Sequence, residues 1–491
     1  SWGALQWQLA KRQGQGLRNA CRYHTGLHLD FSLAAMALAD PAKPEASKEI
    51  PEEFIGQALK HVVMHEVGHS LGLRHNFKAS TMLTADQLND TNLTRAKGLV
   101  GSVMDYSPVN IAPRGKPQGD FYSTTLGPYD YWAIEYAYKS VDGDEAAELK
   151  KIAARAPEHD LVYATDEDAA MNDDPQVNRF DLGADPCAFG QERIALAAEL
   201  LKTLDASVIK DGESWARTRR AFSILLTQWG NGAHLASQYI GGQAVARDHK
   251  GDPGARDPVV PVAGAKQREC LAFLVDQILS DRAFRFSPAL LRKLTQERWY
   301  HWGSDGGSGS VAFPVLEQVL GIQKIALGHC LGAGTLARLQ DQELLADPDS
   351  SPLRMAEVFR ALTDGIWSEL AIAPAAAEAK GAEGRQLALS TVRRNLQREH
   401  LRRLGGIVLG DRRSSAAADA FLYVVFSGSG GNYPPDARSL ARLHLRELAD
   451  RIGRVLDQKD LRIDDTTRAH LEESRHRIAQ VLEAGLDANE P

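Results

Sequence analysis

Three histidines and a glutamate recur at a spacing that suits a catalytic metal ion. His65, Glu66, His69, Gly72 and His75 follow the pattern H-E-x-x-H-x-x-G-x-x-H at every fixed position. Imidazoles four residues apart project from one face of a helix, so His65 and His69 can both reach a zinc ion at about 2.0–2.1 Å. The sequence therefore predicts a metal site with two ligands on one rigid turn of helix.

The third ligand requires the helix to end. Gly72 tolerates the positive φ of a helix C-terminus, so the chain can turn there and bring His75 back towards the ion. Three protein ligands leave one coordination position open for water, which is the arrangement of a catalytic zinc site. We therefore expect His75 to complete the ligand set.

Glu66 has no role in binding zinc but has one in hydrolysis. Zinc lowers the pKa of bound water towards roughly 7, and a nearby carboxylate can take its proton as the hydroxide attacks a carbonyl. The hypothesis is a metalloendopeptidase that cleaves peptide bonds by Glu-assisted attack of zinc-bound water. Two alternatives stay open: a zinc-binding scaffold or adhesion module without turnover, and an amidase that acts on a cell-wall polymer.

A second motif, Ser-Val-Met-Asp-Tyr at 102–106, follows the histidines by about thirty residues. With this motif the chain resembles the metzincins, in which a turn carrying a methionine runs beneath the three histidines. The resemblance implies that Met104 is the apolar floor of the site. It also implies that Tyr106 is an additional ligand or a hydrogen-bond donor to the oxyanion.

A closer resemblance is to the bacterial metzincin proteases with an EcxA-like zinc-binding domain. It rests on residues 52–80, 102–108, 164–168, 174–181 and 469–471. The resemblance implies Zn²⁺ as cofactor, a polypeptide substrate, and a periplasmic, outer-envelope or secreted location. Metzincins usually have a twisted sheet before the zinc helix, whereas sixty-four residues precede His65 here. We therefore expect the upper half of the cleft to lie on a segment upstream of this chain.

The elements that would position these residues are mostly helices. Pro51 suits the first turn of a helix that should run to about Leu71. Beyond residue 140, apolar spacing predicts amphipathic helices over 191–204, 215–239, 265–279, 353–370, 384–404, 439–456 and 466–482. The predicted fold is mainly α, with a small α/β metzincin-like catalytic domain over 1–140, an α-helical region over 141–310 and a large α-helical C-terminal region over 311–491.

Composition excludes other classes of partner. The 57 Lys and Arg residues are interspersed with 64 Asp and Glu residues, so no basic stripe is available for nucleic acid. No run approaches the roughly 20 apolar residues of a membrane span, so we expect no integral membrane segment. The four cysteines are scattered without a C-x-x-C pair and predict neither a cysteine zinc site nor an inhibitory cysteine. The oligomeric state stays open.

Two features near the motif have alternative interpretations. His61 lies one turn before His65 and could support a metal ligand, but a histidine packed in the core or exposed to solvent is favoured. The acidic residues of 166–174 could bind calcium, but they lack the loop pattern of an EF-hand. A solvated acidic loop is therefore favoured there.

Overall fold

The structure, a computed structural model, describes residues 21, 23–38, 50–204, 209, 211–298, 310–347, 349–371, 386–410 and 433–484. The chain forms two compact units. Unit 1 comprises Ser1–Tyr239, Gln243–Val260 and Phe286–Phe313, and unit 2 comprises Ile240–Gly242, Pro261–Arg285 and Pro314–Pro491. The histidine motif and the methionine motif both lie in unit 1. The division into three domains at residues 140 and 310 stays a prediction.

Helices dominate the described residues, which confirms the mainly-α fold. Before residue 240 they are α1 (Tyr23–Leu38), α2 (Glu52–Ser70), α3 (Thr91–Lys97), α4 (Pro128–Tyr138), α5 (Glu145–Ala153), α6 (Asp166–Met171), α7 (Pro186–Leu201) and α8 (Ala216–Ser237). After residue 240 they are α9 (Gly264–Phe273), α10 (Pro288–Lys293), α11 (Val315–Cys330), α12 (Ala333–Leu345), α13 (Met355–Ile366), α14 (Thr391–Leu409), α15 (Pro435–Leu456) and α16 (Asp465–Glu483).

Strands are short in the described part of the chain. One two-stranded sheet pairs β1 (Gln243–Val245) with β2 (Val259–Pro261), and another pairs β3 (Gln386–Leu387) in parallel with β4 (Arg462–Ile463). The described residues of 1–140 contain no strand. Between α3 and α4, side chains accept hydrogen bonds from backbone N–H groups that a β-ladder would otherwise pair. For example, Gln57 Oε1 accepts a hydrogen bond from the backbone N–H of Phe121 at 2.6 Å.

The zinc-motif helix α2 begins where it was predicted, directly after Pro51. Two glutamates in its first turn complement the positive end of the helix dipole. Phe54 and Ala58 are buried against Ala34 of α1, in a cluster that also holds Tyr122. Five more apolar residues recur every four positions and form an exposed stripe along the opposite face: Ile55, Leu59, Val63, Val67 and Leu71. The helix is therefore apolar on two faces, and one of them is anchored in the core of unit 1.

Seven helices predicted beyond residue 140 are present, with shifted ends. α7 starts earlier than predicted because Asp185 caps it by accepting hydrogen bonds from two backbone N–H groups. Five helices beyond residue 140 were not predicted: α5, α6, α10, α11 and α12. α5, α6 and α10 have nine residues or fewer, so too few apolar positions recur in them to reveal a helix, whereas α11 is mostly apolar and lacks a clear polar face.

One described stretch, 315–345, is long and apolar enough to cross a membrane by length and composition alone. It consists of α11 and α12, and 56% of its apolar window is buried within the protein. A buried core helix passes the same test, so the stretch is weak evidence for a span. This agrees with the prediction of no integral membrane segment.

Candidate metal centre

Helix α2 places two histidine side chains next to each other. The ring centroids of His65 and His69 lie 4.7 Å apart, and the His65 side chain is fully buried. The helix then ends in a Schellman motif. The N–H of Leu73 bonds to the carbonyl of Gly68, and the N–H of Gly72 bonds to the carbonyl of His69, both at 3.0 Å.

Gly72 provides the turn that the third histidine requires. Its φ of 85° lies in the left-handed region, where a side chain would be strained. The chain therefore reverses direction within three residues. The His75 ring lies 5.5 Å from that of His65 and 4.8 Å from that of His69, measured between centroids. The turn thus brings together the three histidines that the spacing predicted.

Each of the three imidazoles is held through its Nδ1 atom. His65 Nδ1 contacts the carbonyl of Val103 at 2.7 Å, and His69 Nδ1 contacts the carbonyl of Leu73 at 3.0 Å. His75 Nδ1 contacts Asp166 Oδ2 at 2.8 Å. A carbonyl can only accept, so a proton on Nδ1 leaves Nε2 with its lone pair for a metal.

Two of the three Nε2 atoms lack a hydrogen-bond partner among the described residues, as expected of atoms that bind a metal ion. His69 Nε2 and His75 Nε2 are buried and have no hydrogen-bond partner in the described structure. Buried polar atoms rarely go unpaired, so these two atoms indicate a missing partner. A donor set of three imidazoles suits zinc. The residues present therefore fit the metal that the motif implies.

A cysteine joins this group, contrary to the prediction. The ligand atoms of Cys21, His65, His69 and His75 all lie within 4.8 Å of one another. Cys21 Sγ lies 3.5 Å from His65 Nε2 and 3.6 Å from Glu66 Oε1. The sequence could not reveal it, because Cys21 precedes His65 by 44 residues and has no ligand spacing of its own.

The methionine motif forms a tight turn beneath α2. The N–H of Asp105 bonds to the carbonyl of Ser102 at 3.4 Å, which closes the turn. Asp130 holds the turn in place, since its two oxygens accept from Ser102 Oγ at 2.6 Å and from the N–H of Val103 at 2.9 Å. Val103 in turn supplies the carbonyl that contacts His65. The turn therefore both supports and orients a predicted ligand.

Met104 is fully buried directly under the zinc-motif helix. A Cβ added to Gly68 would lie only 2.2 Å from Met104 Sδ, so the two elements approach as closely as a glycine permits. Tyr106 is also buried, with its ring centroid 4.8 Å from that of His75 and 5.1 Å from that of Tyr23. Both residues thus lie beside the histidines, and the Tyr23 ring is stacked on the Tyr106 ring.

A family model described as Met-zincin matches residues 47–373, which is most of the chain. The chain belongs to the Met-zincin family. The match includes the whole histidine motif and the methionine turn. Comparisons with curated proteins and with solved structures found no match.

Burial and charge set the protonation of the histidines in this Met-zincin. Burial lowers the pKa of His65 to about 3, so its imidazole is neutral and able to bind a metal. Burial also acts to lower the pKa of His75, but the hydrogen bond with Asp166 and the proximity of Cys21 outweigh it and raise the pKa to about 9 in the metal-free chain. Asp166 therefore stabilises the protonated form of His75 when no metal is bound.

The acidic stretch 166–174 is not the solvated loop that the sequence favoured. It opens with α6, and its carboxylates are engaged: Asp166 with His75 and Arg179, Glu167 with Arg74, Asp168 with Arg247, and Asp174 with Lys78. Arginine and lysine side chains from other parts of unit 1 pair with these carboxylates, and the local sequence does not indicate such pairing. Calcium binding there stays untested.

His61 is a core residue, as the favoured interpretation predicted. Its side chain is fully buried, and neither ring nitrogen has a hydrogen-bond partner. The ring is stacked on Tyr122 and meets Tyr23 edge-on. Burial lowers the pKa of His61 to about 4, so it packs as a neutral ring.

Proposed function

We propose that this Met-zincin is a zinc-dependent metalloendopeptidase in which His65, His69 and His75 hold the metal and Glu66 is the general base. The position of Glu66 supports this most. Its Oε1 atom lies 3.6 Å from Cys21 Sγ, which is itself 3.5 Å from His65 Nε2. In the proposed site, Glu66 would thus lie beside the coordination position that three histidines leave open.

A zinc ion in such a site supplies a Lewis acid that polarises a carbonyl and lowers the pKa of a water molecule towards roughly 7. Glu66, which is exposed on α2, would accept the proton of the attacking water and deliver it to the leaving amine. The phenol of Tyr106 would donate a hydrogen bond to the oxyanion once its ring is uncovered.

The substrate and location follow from the resemblance. We propose a polypeptide substrate, a catalytic domain within residues 1–140, and a periplasmic, outer-envelope or secreted location. A zinc-binding scaffold needs no carboxylate that faces the fourth coordination position, since zinc affinity does not depend on it. The position of Glu66 therefore favours turnover over a scaffold.

The test pairs metal content with cleavage. Zinc is measured by elemental mass spectrometry, and cleavage is measured on a mixed peptide library, for the natural chain and for Glu66→Gln. Both are repeated in a Cys21→Ala background, because Cys21 lies beside the site. We expect about one zinc per chain in all four proteins. Cleavage should fall by roughly 10²–10⁴-fold with Glu66→Gln.

Two results would refute the proposal. Zinc-loaded protein that cleaves nothing in either background would favour the scaffold. Cleavage that is equal with and without Glu66 would remove its role as the base.

A further inference from the structure

Unit 1 contains a second concave site, a half-open cavity of about 310 Å³. This volume lies at the lower end of the range, about 300–1,000 Å³, of sites that bind small organic ligands. The cavity lies between α4, the segment 161–163 and the loop that follows β1, and all of its lining residues belong to unit 1. None of the three histidines lines it. It is therefore a site separate from the candidate metal centre.

Aromatic side chains form the apolar wall of this cavity: Tyr129, Trp132, Tyr136 and Tyr163. The rings of Tyr129 and Tyr163 are parallel within 4°, and their centroids lie 5.5 Å apart, which is an offset-stacked arrangement. The indole of Trp132 is tilted by 59° against Tyr129. Trp132 Nε1 donates a hydrogen bond to the carbonyl of Ile152 at 2.7 Å, which fixes the ring. Flat, fixed walls of this kind suit an aromatic ring.

The charged side chains of the lining are three cations and one carboxylate: Lys78, Arg247, Arg256 and Asp248. Both oxygens of Asp248 are already engaged, since Arg256 donates to Oδ2 from Nε and to Oδ1 from Nη2, each at 2.7 Å. The carboxylates that pair with the other two cations, Asp168 and Asp174, do not line the cavity. The lining therefore presents a net positive charge.

Hydrogen-bond donors for an anion remain on the two arginines. Arg247 donates to Asp168 through Nη2 alone, so its Nε and Nη1 have no acceptor among the described residues. Arg256 Nη1 is unengaged in the same part of the structure. The Arg247 guanidinium lies 5.7 Å from the centroid of the Tyr163 ring, so these donors border the aromatic wall. Burial raises the pKa of Tyr129, so its hydroxyl stays protonated and can also donate.

We propose that this cavity binds an organic anion in which a short chain joins an aromatic ring to a carboxylate. The ring lies against Trp132 and Tyr163, and the carboxylate accepts hydrogen bonds from Arg247 and Arg256. A neutral aromatic ligand would leave these donors unmatched, and an anion without a ring would leave the apolar wall uncovered. The C-terminal residue of a peptide and a free aromatic acid share this chemistry. The site goes beyond the proposed peptidase and does not depend on it.

N-acetyl-L-phenylalanine is the probe, and its binding is followed by NMR of the ligand during titration. The zinc-loaded natural chain and the chelator-stripped chain are both titrated. We expect a Kd of about 1 mM or below in both, as for a compact ligand of this size. Binding that disappears when zinc is removed would belong to the metal and would overturn the proposal.

Two variants and one matched control locate the probe. Arg247→Gln should weaken binding about tenfold or more, because a charge-assisted hydrogen bond is lost. Tyr163→Leu should weaken it through loss of the aromatic wall. Arg155→Gln is the control, since Arg155 also makes a forked ion pair, with Glu158, but does not line the cavity. Its Kd should equal that of the natural chain. Thermal unfolding confirms that each variant is folded.

The chemistry of the probe is tested by removing one group at a time. N-acetyl-L-phenylalanine amide lacks the charge and N-acetylglycine lacks the ring, and each should bind at least about tenfold more weakly than the acid. Equal binding of the acid and the amide would overturn the proposal, as would binding that neither Arg247→Gln nor Tyr163→Leu alters.

Two further probes distinguish the sources of the ligand in the stripped chain, where zinc cannot cleave a peptide. Binding of acetyl-Ala-Ala-Phe assigns the cavity to the C-terminal residue of a peptide. Binding of 3-phenylpropanoate alone assigns it to a free aromatic acid. Binding of neither overturns the proposal, and none of these results depends on whether the zinc-loaded chain is a peptidase.

Discussion

His75 and Asp166 are joined by a 2.8 Å contact between Nδ1 and Oδ2, although 91 residues separate them in the chain. A carboxylate on the far nitrogen fixes the tautomer of a metal-binding imidazole and makes its other nitrogen a better ligand. Asp166 is itself only partly exposed and is also within 3.2 Å of Arg179. His75, the predicted third ligand, is thus oriented by a residue outside the histidine motif.

Removing this carboxylate should weaken zinc binding. We expect Asp166→Asn to lower the affinity for zinc by roughly 10–100-fold, because the neutral amide no longer increases the basicity of His75. Competition with a chromophoric chelator measures the change. Glu167→Gln is the matched control, since Glu167 is adjacent but pairs with the exposed Arg74. Equal affinities for the two variants would show that Asp166 does not support the ligand.

The residues of the site divide by how far apart they lie in the sequence. His65, His69, Gly72 and His75 fall within eleven residues, so helix geometry and a glycine turn were sufficient to predict their arrangement. Cys21 and Asp166 are brought in by packing between distant segments. Their identity depends on tertiary contacts that no local spacing records.

The contact between α2 and the methionine turn predicts opposite effects for two glycines of the same helix. Gly68→Ala should destabilise the protein by about 1–3 kcal/mol, because its Cβ would lie 2.2 Å from the buried Met104 Sδ. Gly56→Ala has nothing within 4 Å and should stabilise by about 0.5–1 kcal/mol through helix propensity. Urea-induced unfolding measures both. Stabilisation by both alanines would mean that Met104 does not pack against α2.

A buried pair of carboxyl groups predicts a loss of stability as the pH rises from about 4 to about 7. Asp105 and Asp181 both accept hydrogen bonds from Ser80 and are fully buried. Burial raises the pKa of Asp181 from 3.8 to about 7. Burial and the Asp181 charge raise the pKa of Asp105 as well. The folded chain therefore keeps a proton on this pair that the unfolded chain releases.

The direction of the pH dependence follows from the proton that the folded chain retains on this pair. The stabilisation is complete below about pH 4 and is lost as the pH rises through about 7. Asp181→Asn, which is neutral at every pH, should gain on the order of 2 kcal/mol relative to the natural chain between pH 5 and pH 8. Urea unfolding at both pH values measures it. Asp86→Asn, at an exposed carboxylate, should show no such gain. A pH-independent difference for Asp181→Asn would contradict the raised pKa.

The fold could be predicted where helices have one polar and one apolar face, as in α8 and α15. It could not be predicted for α11, which is mostly apolar, or for short helices such as α6 and α10. A further difference is that the described residues of 1–140 contain no strand, although an α/β catalytic domain was predicted. There, side chains such as Gln57 and Asp130 satisfy backbone N–H groups that a strand ladder would otherwise pair.

Zinc titration of peptide cleavage tests the central claim most directly. Chelator-stripped Cys21→Ala would receive increasing zinc, and the initial rate of cleavage would be measured at each addition. We expect no cleavage without metal, a linear rise, and a plateau at about one zinc per chain; His69→Ala should remain inactive throughout. Cleavage by the stripped protein, or none at any zinc concentration, would contradict a zinc peptidase centred on these histidines.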